Sequence, residues 1–350
     1  MRVIAIANQK GGCGKTTTTV NLAAAFGKKG HRVLVVDLDP QGHSTLGLGC
    51  DPDSFTKTIY NALVDIQLPI ADVIVPSKTE NVDVAPSNVL LSGAELDLAA
   101  VPGREFMLSE QFKTIDSRYD VCVIDCPPSL GILTLNALIA STDVVVPVQV
   151  HYYAMEGLKQ LFETCEIIQE HFYPCKVKIT GLLLTFVEDR LLFTRQIQQQ
   201  MREFFGDLVF VTVIHRNIRL AEAPSAGESI ITYAPESRGA LEYLQLVDEI
   251  LLGKQNLASA SPDSADAQVS PADNSDSSQQ PAVSSSNPQQ DCLIPAPVRQ
   301  TIDDQDSQQM SGETDLTEIL SSNVVAEDSG GSQQLAPADD AGSTEEVDNA

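Results

Sequence analysis

Two lysines and three glycines stand together shortly after an apolar segment near the start of the chain. Residues 3–7 are apolar, and the stretch that follows them contains Lys10, Gly11, Gly12, Cys13, Gly14, Lys15, Thr16 and Thr17. Glycines let backbone N–H groups approach a polyphosphate, and the start of a helix adds positive potential. A lysine can then reach the terminal phosphates while a threonine hydroxyl ligates Mg²⁺. The stretch therefore predicts a binding site for a nucleoside triphosphate.

Two later apolar segments end in aspartates. Val33–Asp37 runs on to Asp39, and the alternation of side chains along a strand places both carboxylates on the same side. Val121–Asp125 delivers a single aspartate at its end, which is the form of a Walker B box. Hydrolysis of a triphosphate needs a metal ligand and a group that orients the attacking water. We therefore expect Asp39 and Asp125 to serve the site at residues 10–17.

Short apolar runs alternate with longer helical patterns over the first 252 residues. We predict strands at residues 3–7, Val33–Asp37, Val82–Ala85, Val121–Asp125, 144–148, 179–184 and 209–214. Predicted helices lie near residues 16–29, 104–117, 131–140, 155–171, 194–205 and 238–252. Strands that are apolar throughout fit a parallel sheet that is buried on both faces. The sequence thus predicts an α/β fold, a doubly wound and mostly parallel sheet with helices on both faces, with ligands at the carboxyl ends of the strands.

The composition divides the chain of 350 residues into two parts. The 11 Phe and 7 Tyr residues all precede position 254, whereas residues 254–350 are rich in Ser, Gln, Asp, Pro and Ala. This second part contains 18 acidic and two basic side chains, so it carries −16 of the formal net charge of −26. Such a composition cannot bury a core. We predict one nucleotide-binding domain at residues 1–253 and an acidic, disordered tail at residues 254–350.

Cysteine usage and hydropathy exclude several classes of protein. The seven cysteines are odd in number and include no Cys-x-x-Cys pair, which favours reduced thiols in a cytoplasmic protein. No apolar run approaches the ~20 residues that span a bilayer. The five histidines show no metal-site spacing, so a zinc enzyme is not indicated. We expect a soluble, cytoplasmic protein.

Five blocks of sequence carry a resemblance to a known family. They occur in the order ANQKGGCGKTTT, VLVVDLDPQG, VIDCPPSLGILTLNAL, YYAMEGLKQL and RNIRLAEAPSAGESI. In the first block Gln9 stands where the ordinary Walker A pattern has glycine, and Lys10 is an additional lysine. The blocks resemble chromosomal ParA (Soj-like) partition ATPases, which are P-loop NTPases with a deviant Walker A box. The resemblance covers residues 1–252 and implies an ATPase that uses ATP and Mg²⁺ to segregate DNA.

The resemblance also implies roles for single residues. Lys15 and Thr16 match the family's nucleotide and Mg²⁺ ligands, within a nucleotide-binding loop at residues 10–17. Asp39 matches the aspartate that positions the hydrolytic water, and Asp125 matches the Walker B acid. We therefore expect Lys10, Lys15 and Asp39 to be catalytic. The same matches predict that Thr16, Asp39 and Asp125 form the metal site.

Lys10 matches the family's signature lysine, which reaches across a dimer interface to the partner's nucleotide. A cation supplied only when two subunits close around ATP acts like an arginine finger, because it stabilises charge on the transferring phosphoryl oxygens. The resemblance thus implies a homodimer in the ATP-bound state and a slow switch. In the family a ParB-like centromere-binding partner stimulates hydrolysis.

DNA binding is implied by the resemblance although the composition opposes it. Residues 1–253 carry a net −10, whereas nucleic-acid binding needs a positive face. Residues 190–219 are an exception with a net positive charge, because they contain five arginines and two acidic residues. The family's non-specific contacts to double-stranded DNA match Arg190 and Arg219, which implies nucleoid association. Surface salt bridges would produce the same cluster of arginines.

Three positions depart from the family's pattern. Cys13 replaces the usual valine, His151 stands where glutamate is frequent, and His215 stands where proline is usual. The segment before Asn217 often helps to hold the adenine base in relatives. We therefore expect Asn217 at the nucleotide site, while the choice of ATP over GTP rests on the resemblance alone.

Two alternatives remain within the same superfamily. A MinD-like membrane-cycling ATPase needs a basic, amphipathic C-terminal helix, whereas the tail here is acidic and would be repelled by anionic lipid. A redox enzyme like the nitrogenase iron protein needs cysteines that hold an iron–sulfur cluster, and the cysteine pattern supplies no convincing pair. We accordingly expect no membrane partner.

Overall fold

The computed structural model describes residues 1–150 and 156–252. His151 and the predicted tail at residues 254–350 therefore lie outside the described residues. The strands are β1 (Arg2–Ile6), β2 (Val33–Asp37), β3 (Val75–Pro76), β4 (Val82–Ala85), β5 (Val121–Asp125), β6 (Asp143–Gln149) and β7 (Lys178–Thr185). The α-helices are α1 (Lys15–Lys28), α2 (His43–Gly47), α3 (Ile59–Val64), α4 (Ala94–Leu98), α5 (Met107–Lys113), α6 (Ile132–Ala140), α7 (Glu156–His171), α8 (Leu192–Phe205), α9 (Ile218–Glu222), α10 (Ile230–Tyr233) and α11 (Arg238–Leu252).

The strands of the described residues form one sheet in the order β3-β4-β2-β5-β1-β6-β7. Every pairing is parallel except that of β3, which runs antiparallel to β4 at the edge. β1 lies between β5 and β6, so the loop after β1 opens at the point where the strand order reverses, which is where ligands bind in such sheets. The predicted α/β fold with a mostly parallel sheet is confirmed.

Alternate residues of the central strands face two layers of helices. One face, with Ile4, Val35 and Val123, packs with α1 and α11 in a single buried core. The intervening residues of these strands, such as Leu34 and Cys122, are equally buried and face the other layer. In that layer α6 contacts β1, and α5 and α7 flank α6. Burial on both faces explains why the central strands are apolar throughout.

The predicted strand at residues 209–214 is wrong. This segment runs beside β7, and the N–H groups of Phe210 and Ile214 donate to carbonyls of β7, but the pairing amounts to two isolated bridges, Leu182 to Val209 and Val187 to His215. Between the bridges, the N–H groups of Val211 and Thr212 donate to the buried Glu249 carboxylate of α11, at 2.6 and 2.9 Å. Because these backbone donors bond to a side chain, no continuous ladder forms.

Two other differences concern short elements. The predicted helix at residues 104–117 is a 3₁₀ turn at Arg104–Phe106 followed by the shorter α5. The antiparallel strand β3 has two residues, one of them proline, which is too short to give a pattern in the sequence and suits a sheet edge. Among the described residues, no helix is both long and apolar enough to cross a bilayer.

Candidate functional site

The loop between β1 and α1 is shaped by two glycines. Gly12 and Gly14 have φ angles of 72° and 93°, in the left-handed region that favours glycine. The first hydrogen bond of α1 runs from the N–H of Thr18 to the carbonyl of Gly14, at 2.8 Å. No side chain caps the helix. The N–H groups of the first turn therefore have no intrahelical partner and are suited to bind an anion.

Neighbouring strands hold this loop in place. The Asn8 amide donates to the carbonyl of Pro147 at 2.7 Å, and its oxygen accepts from the N–H of Lys10 at 2.9 Å. On the β7 side, the hydroxyl of Thr185 donates to the carbonyl of Cys13 at 2.9 Å. Phe186, which follows Thr185, has a φ of 55° that side-chain-bearing residues rarely adopt. Both strands that flank the loop on this side thus fix its conformation.

The two lysines of the loop have different environments. Lys15 is buried, and its ammonium donates to the carbonyl of Lys10 at 3.1 Å inside the loop. The Lys10 side chain is half-buried, and its ammonium makes no hydrogen bond or ion pair with another described residue. Lys15 is therefore aimed into its own loop, whereas the charge of Lys10 is not neutralised by any described residue.

Cys13 is fully buried between the two lysines. Its thiol lies 3.2 Å from the carbonyl of Lys10. Burial raises the pKa of the Cys13 thiol, with Lys15 opposing the shift, so the thiol stays protonated at neutral pH. The residue fills space inside the loop as a small apolar group would.

Asp125 at the end of β5 is surrounded by hydroxyl groups. Its carboxylate accepts hydrogen bonds from Thr19 of α1 at 3.1 Å and from Ser44 of α2 at 2.6 Å. Burial raises the pKa of the Asp125 carboxyl, while bonds from Ser44, Thr16 and Thr19 oppose the shift and the charge of Asp39 adds to it. Thr16 and Asp125, both predicted metal-site residues, are thus brought together.

Asp37 and Asp39 are separated by their surroundings. Asp37 is fully buried and accepts from both the N–H and the hydroxyl of Thr45, at 2.8 and 2.7 Å. Burial and the neighbouring charge of Asp125 raise the pKa of the Asp37 carboxyl. Asp39 is half-exposed, and its N–H donates to Asp37 at 3.1 Å. Asp37 therefore anchors α2 and orients Asp39, which alone of the pair faces accessible space.

These residues fit a magnesium-bound triphosphate. A cation placed between Asp125 and the loop would relieve the buried charge of two adjacent carboxylates, and Thr16 supplies a hydroxyl beside them. Within the described chain no three Asp, Glu, His or Cys side chains are grouped as a metal cage. Mg²⁺ at nucleotide sites is typically held by one or two protein ligands together with phosphates and water, which this arrangement allows.

Asn217 lies at the start of a helix and contacts α11. It begins α9, where its side-chain oxygen accepts from the N–H of Arg219 at 2.9 Å. A Cβ atom on Gly239 of α11 would lie 3.3 Å from the Asn217 amide nitrogen, so this side chain packs closely on α11. None of the hydrogen bonds of Asn217 in the described chain reaches residues 10–17. Its predicted role in binding the base stays a prediction.

The arginine cluster at residues 190–219 divides into three groups. Arg202 donates to the carbonyl of Phe210 at 3.0 Å and so has a structural contact. Arg216 and Arg219 form exposed ion pairs with Glu188 and Glu222, at 3.1 and 2.8 Å. Arg190 and Arg195 are exposed, and neither forms an ion pair with a described residue. Exposed ion pairs contribute little to stability, so Arg216 and Arg219 can exchange their carboxylate partners for other anions.

Comparison with known proteins identifies the family. A family model described as an AAA domain matches residues 1–179. The sporulation initiation inhibitor protein Soj of Bacillus subtilis is 47% identical over 249 residues, which cover 71% of this chain and 98% of Soj. The chromosome partitioning protein ParA of Myxococcus xanthus is 43% identical over 250 residues, covering 71% of this chain and 88% of that protein. The chain belongs to the ParA/Soj family of P-loop ATPases.

Solved structures agree with membership of the ParA/Soj family. Cobyrinic acid a,c-diamide synthase from Mycobacterium smegmatis, with a bound ATP analog and magnesium, is 35% identical with a TM-score of 0.63, covering 72% of this chain and 94% of that chain. The septum site-determining protein MinD from Pyrococcus horikoshii, complexed with Mg-ADP, is 26% identical with a TM-score of 0.58, covering 72% of this chain and 97% of MinD. Both share the P-loop ATPase fold described above.

Several contributors to the site were absent from the sequence prediction. Thr19 lies one helical turn after Thr16, so helical spacing could have revealed it as a second hydroxyl for Asp125. Ser44 and Thr185 reach the site through long-range packing, with partners 81 and 172 residues away in the chain. No local pattern in the sequence marks either of them.

Proposed function

We propose that this ParA/Soj-family ATPase segregates DNA as an ATP-driven switch. In this account it binds ATP with Mg²⁺, forms a sandwich dimer, and binds double-stranded DNA without sequence preference until hydrolysis releases it. The observation that carries the proposal is the loop at residues 10–17, in which Lys15 is held inside the phosphate cradle while the Lys10 ammonium has no partner among the described residues. The chromosome partitioning relatives support DNA segregation as the purpose.

ATP and Mg²⁺ are supported by the residues around the loop. The first turn of α1 and the Lys15 ammonium would hold the phosphates, and Thr16 and Asp125 would hold the metal directly or through its water shell. Bound Mg²⁺ would neutralise charge on the phosphate oxygens. Asp39, half-exposed at the end of β2, would orient the attacking water. Mg²⁺-dependent hydrolysis follows as an expectation.

Dimerisation would complete the site through Lys10. Its ammonium has no partner among the described residues, yet its backbone carbonyl is fixed by Lys15 and Cys13. A lysine with a fixed backbone and a free side chain is suited to reach a nucleotide on a second copy of the chain. The nucleotide would then hold the two copies together, and hydrolysis would separate them.

Mixing two inactive variants tests this shared site. Lys10→Ala and Asp39→Ala should each lose ATP hydrolysis, because each lacks one part of the shared site. In a mixed dimer, the Lys10→Ala subunit keeps its own Asp39 and receives Lys10 from its partner, so one site in two is intact. We expect the mixture to regain about a quarter of the normal rate, half of the dimers being mixed with one working site each. No recovery on mixing would contradict the transfer of Lys10 between subunits.

DNA binding is supported by two neighbouring segments with exposed arginines. Val187 pairs with His215, and the N–H of Arg216 donates to the carbonyl of Val187 at 3.0 Å. This pairing brings the segment that ends at Arg190 beside the segment that leads to Arg219. Phosphate contacts of this kind position a duplex without reading its sequence.

Two matched variants test the DNA surface. Arg219 and Arg32 are each in an exposed ion pair, at 2.8 and 2.7 Å, with side chains 58% and 57% exposed. Arg32 lies at the opposite, amino-terminal end of the strands. We expect Arg219→Ala to weaken duplex binding in the presence of ATP. It should also reduce, by about one, the slope of the logarithm of the affinity against the logarithm of the salt concentration. Arg32→Ala should change neither quantity. Equal effects of the two variants would exclude a specific role for Arg219.

A ParB-like centromere-binding protein is the expected partner, and the nucleoid is the expected location. Similarity to the chromosome partitioning protein ParA of Myxococcus xanthus supports both expectations. Addition of such a partner together with DNA should raise the ATPase rate of the full chain well above its basal level. The same preparation should not bind anionic vesicles, and vesicle binding would instead favour a MinD-like role.

A further inference from the structure

His215 lies in a cluster of four charged or titratable side chains that has no part in ATP hydrolysis as described above. The ring is largely buried, and its Nδ1 lies 2.5 Å from a carboxylate oxygen of Glu242. Its Nε2 lies 2.8 Å from Asp189 and 2.6 Å from the Arg238 guanidinium. Arg238 also donates to Glu242 at 2.8 Å, one helical turn along α11.

The cluster joins three pieces of the chain. Asp189 directly precedes Arg190, and His215 lies two residues before Asn217 and four before Arg219. Arg238 and Glu242 belong to α11, whose position is fixed because Tyr243 is buried against α1. The N–H of His215 also donates to Glu242 at 3.0 Å, so backbone and ring are both attached to this helix.

The Nε2 atom of His215 cannot satisfy both of its neighbours at once. A protonated Nε2 donates to Asp189, whereas an unprotonated Nε2 accepts from Arg238. The first arrangement requires the imidazolium, because Nδ1 donates to Glu242 at the same time. The second leaves Asp189 with only the longer bond from Arg238, at 3.3 Å. Two hydrogen-bonded arrangements therefore exist, and one proton selects between them.

We propose that His215 is a positioning residue whose ring proton controls how firmly the Arg190 segment is held against the Asn217–Arg219 segment. With the proton present, Asp189 is tied to His215, and its charge is drawn away from Arg190. Without the proton, Asp189 keeps only the longer bond from Arg238, and its charge is left to offset that of the neighbouring Arg190. DNA binding should accordingly be tighter on the acid side of neutrality, a consequence that rests on the proposed DNA-binding function.

Other charged groups near the cluster do not change this expectation. Asp189 is exposed, and although its burial acts to raise the pKa, the charges and hydrogen bonds of His215 and Arg238 lower it. Glu188 and Arg216 form their own ion pair at 3.1 Å. Tyr243 beside Glu242 is buried and stays neutral, because burial raises the pKa of its hydroxyl.

NMR of the histidine ring nitrogens in the full chain tests the arrangement directly. At the acid end of the titration both nitrogens of His215 should be protonated, and at the alkaline end Nε2 should lose its proton while Nδ1 keeps it. His215→Gln identifies the signal, and Asp189→Asn should alter its titration while leaving that of the exposed His171 unchanged. Loss of the proton from Nδ1, or no effect of Asp189→Asn, would overturn the proposal.

The affinity for duplex DNA in the presence of ATP, measured as a function of pH, tests the expected effect on DNA binding. Between about pH 8 and about pH 6 we expect the wild-type affinity to rise about threefold more than that of His215→Gln or of Asp189→Asn. His171→Gln should behave as wild type. Asp189→Asn changes an exposed side chain, so it keeps the test valid if His215→Gln unfolds. Identical pH profiles in all four proteins would refute the proposal that His215 controls DNA binding. Absence of DNA binding at every pH would instead refute the proposed function. In that case the NMR titration of the ring nitrogens would still test the proposed arrangement of the His215 cluster.

Discussion

At the scale of single residues, the candidate site is built around buried charge. Asp125 and Lys15 are both buried; Asp125 accepts hydrogen bonds from hydroxyl groups, and the Lys15 ammonium donates to a backbone carbonyl. A buried carboxylate whose pKa is raised costs stability when it is ionised, and a bound cation removes that cost. The site is therefore arranged to gain stability when nucleotide and metal bind together.

Replacement of Asp125 by Asn tests this arrangement. Without ligand, Asp125→Asn should melt at the same temperature as wild type or higher, because the buried charge is gone. With ATP, the further rise in melting temperature that Mg²⁺ produces in wild type should be lost, and hydrolysis should fall by about 100-fold or more. Thermal melts with and without Mg²⁺ measure the first effect, and phosphate release measures the second.

Asp143→Asn is a suitable control for that experiment. Asp143 is also buried, but it lies at the amino-terminal end of β6 and binds Arg2. It should keep the Mg²⁺-dependent rise in melting temperature. Loss of the rise in both variants, or in neither, would contradict the assignment of Asp125 to the metal site.

At the scale of elements, strands and long helices were predictable because their patterns are local. β2 and β5 are apolar up to their last residue, which in each is an aspartate that the site uses. The error at residues 209–214 arose because a β-branched run is compatible with a strand, whereas Glu249 of α11 takes two of its backbone donors. A partner that lies on a distant helix leaves no trace in the local sequence.

The same distinction applies within the site. Residues 10–17 and Asp125 were predicted, because glycine spacing and a terminal aspartate are local signals. The hydroxyls that surround Asp125 depend on how α1 and α2 pack, and only helical spacing hinted at Thr19. The cluster around His215 was not predictable, since its four members come from three separate segments.

The start of β6 gives a prediction about acid stability. Burial acts to raise the pKa of Asp143, but hydrogen bonds from Arg2, Thr180 and Thr142 outweigh it and lower that pKa to about 2. Since the folded pKa is below that of the unfolded chain, the stabilisation is complete above about pH 5 and is lost as the pH falls towards about 2. Asp143→Asn should lower the free energy of unfolding at pH 7 by about 2 kcal/mol.

Urea unfolding at a series of pH values measures this effect. The difference between wild type and Asp143→Asn should be constant above about pH 5 and should shrink as the acid limb is approached. A difference that stays the same down to about pH 2.5 would show that Asp143 stabilises the fold by packing alone.

At the scale of the whole molecule, net charge opposes the proposed DNA binding. Residues 254–350 carry −16 of the −26, and the exposed arginines at residues 190–219 are a small local exception. Long-range repulsion of DNA should therefore be strong at low salt and screened at high salt. Removal of residues 254–350 should tighten duplex binding severalfold at about 50 mM salt and have little effect above about 200 mM.

A charge-only variant separates repulsion from other effects of the deletion. Changing the 18 acidic residues of this part to their amides keeps its length and should reproduce the deletion. Equal affinity of the full chain and the deletion at low salt would show that the tail charge has no influence on DNA.

The nucleotide dependence of duplex binding tests the central claim most directly. Fluorescence anisotropy with the full chain, Mg²⁺ and unrelated duplex sequences should give an affinity at least about tenfold higher with a non-hydrolysable ATP analog than with ADP. The affinity should not depend on the sequence of the duplex. Equal affinity for DNA with the ATP analog and with ADP, or no DNA binding with either nucleotide, would contradict the account of this ATPase as an ATP-driven DNA switch.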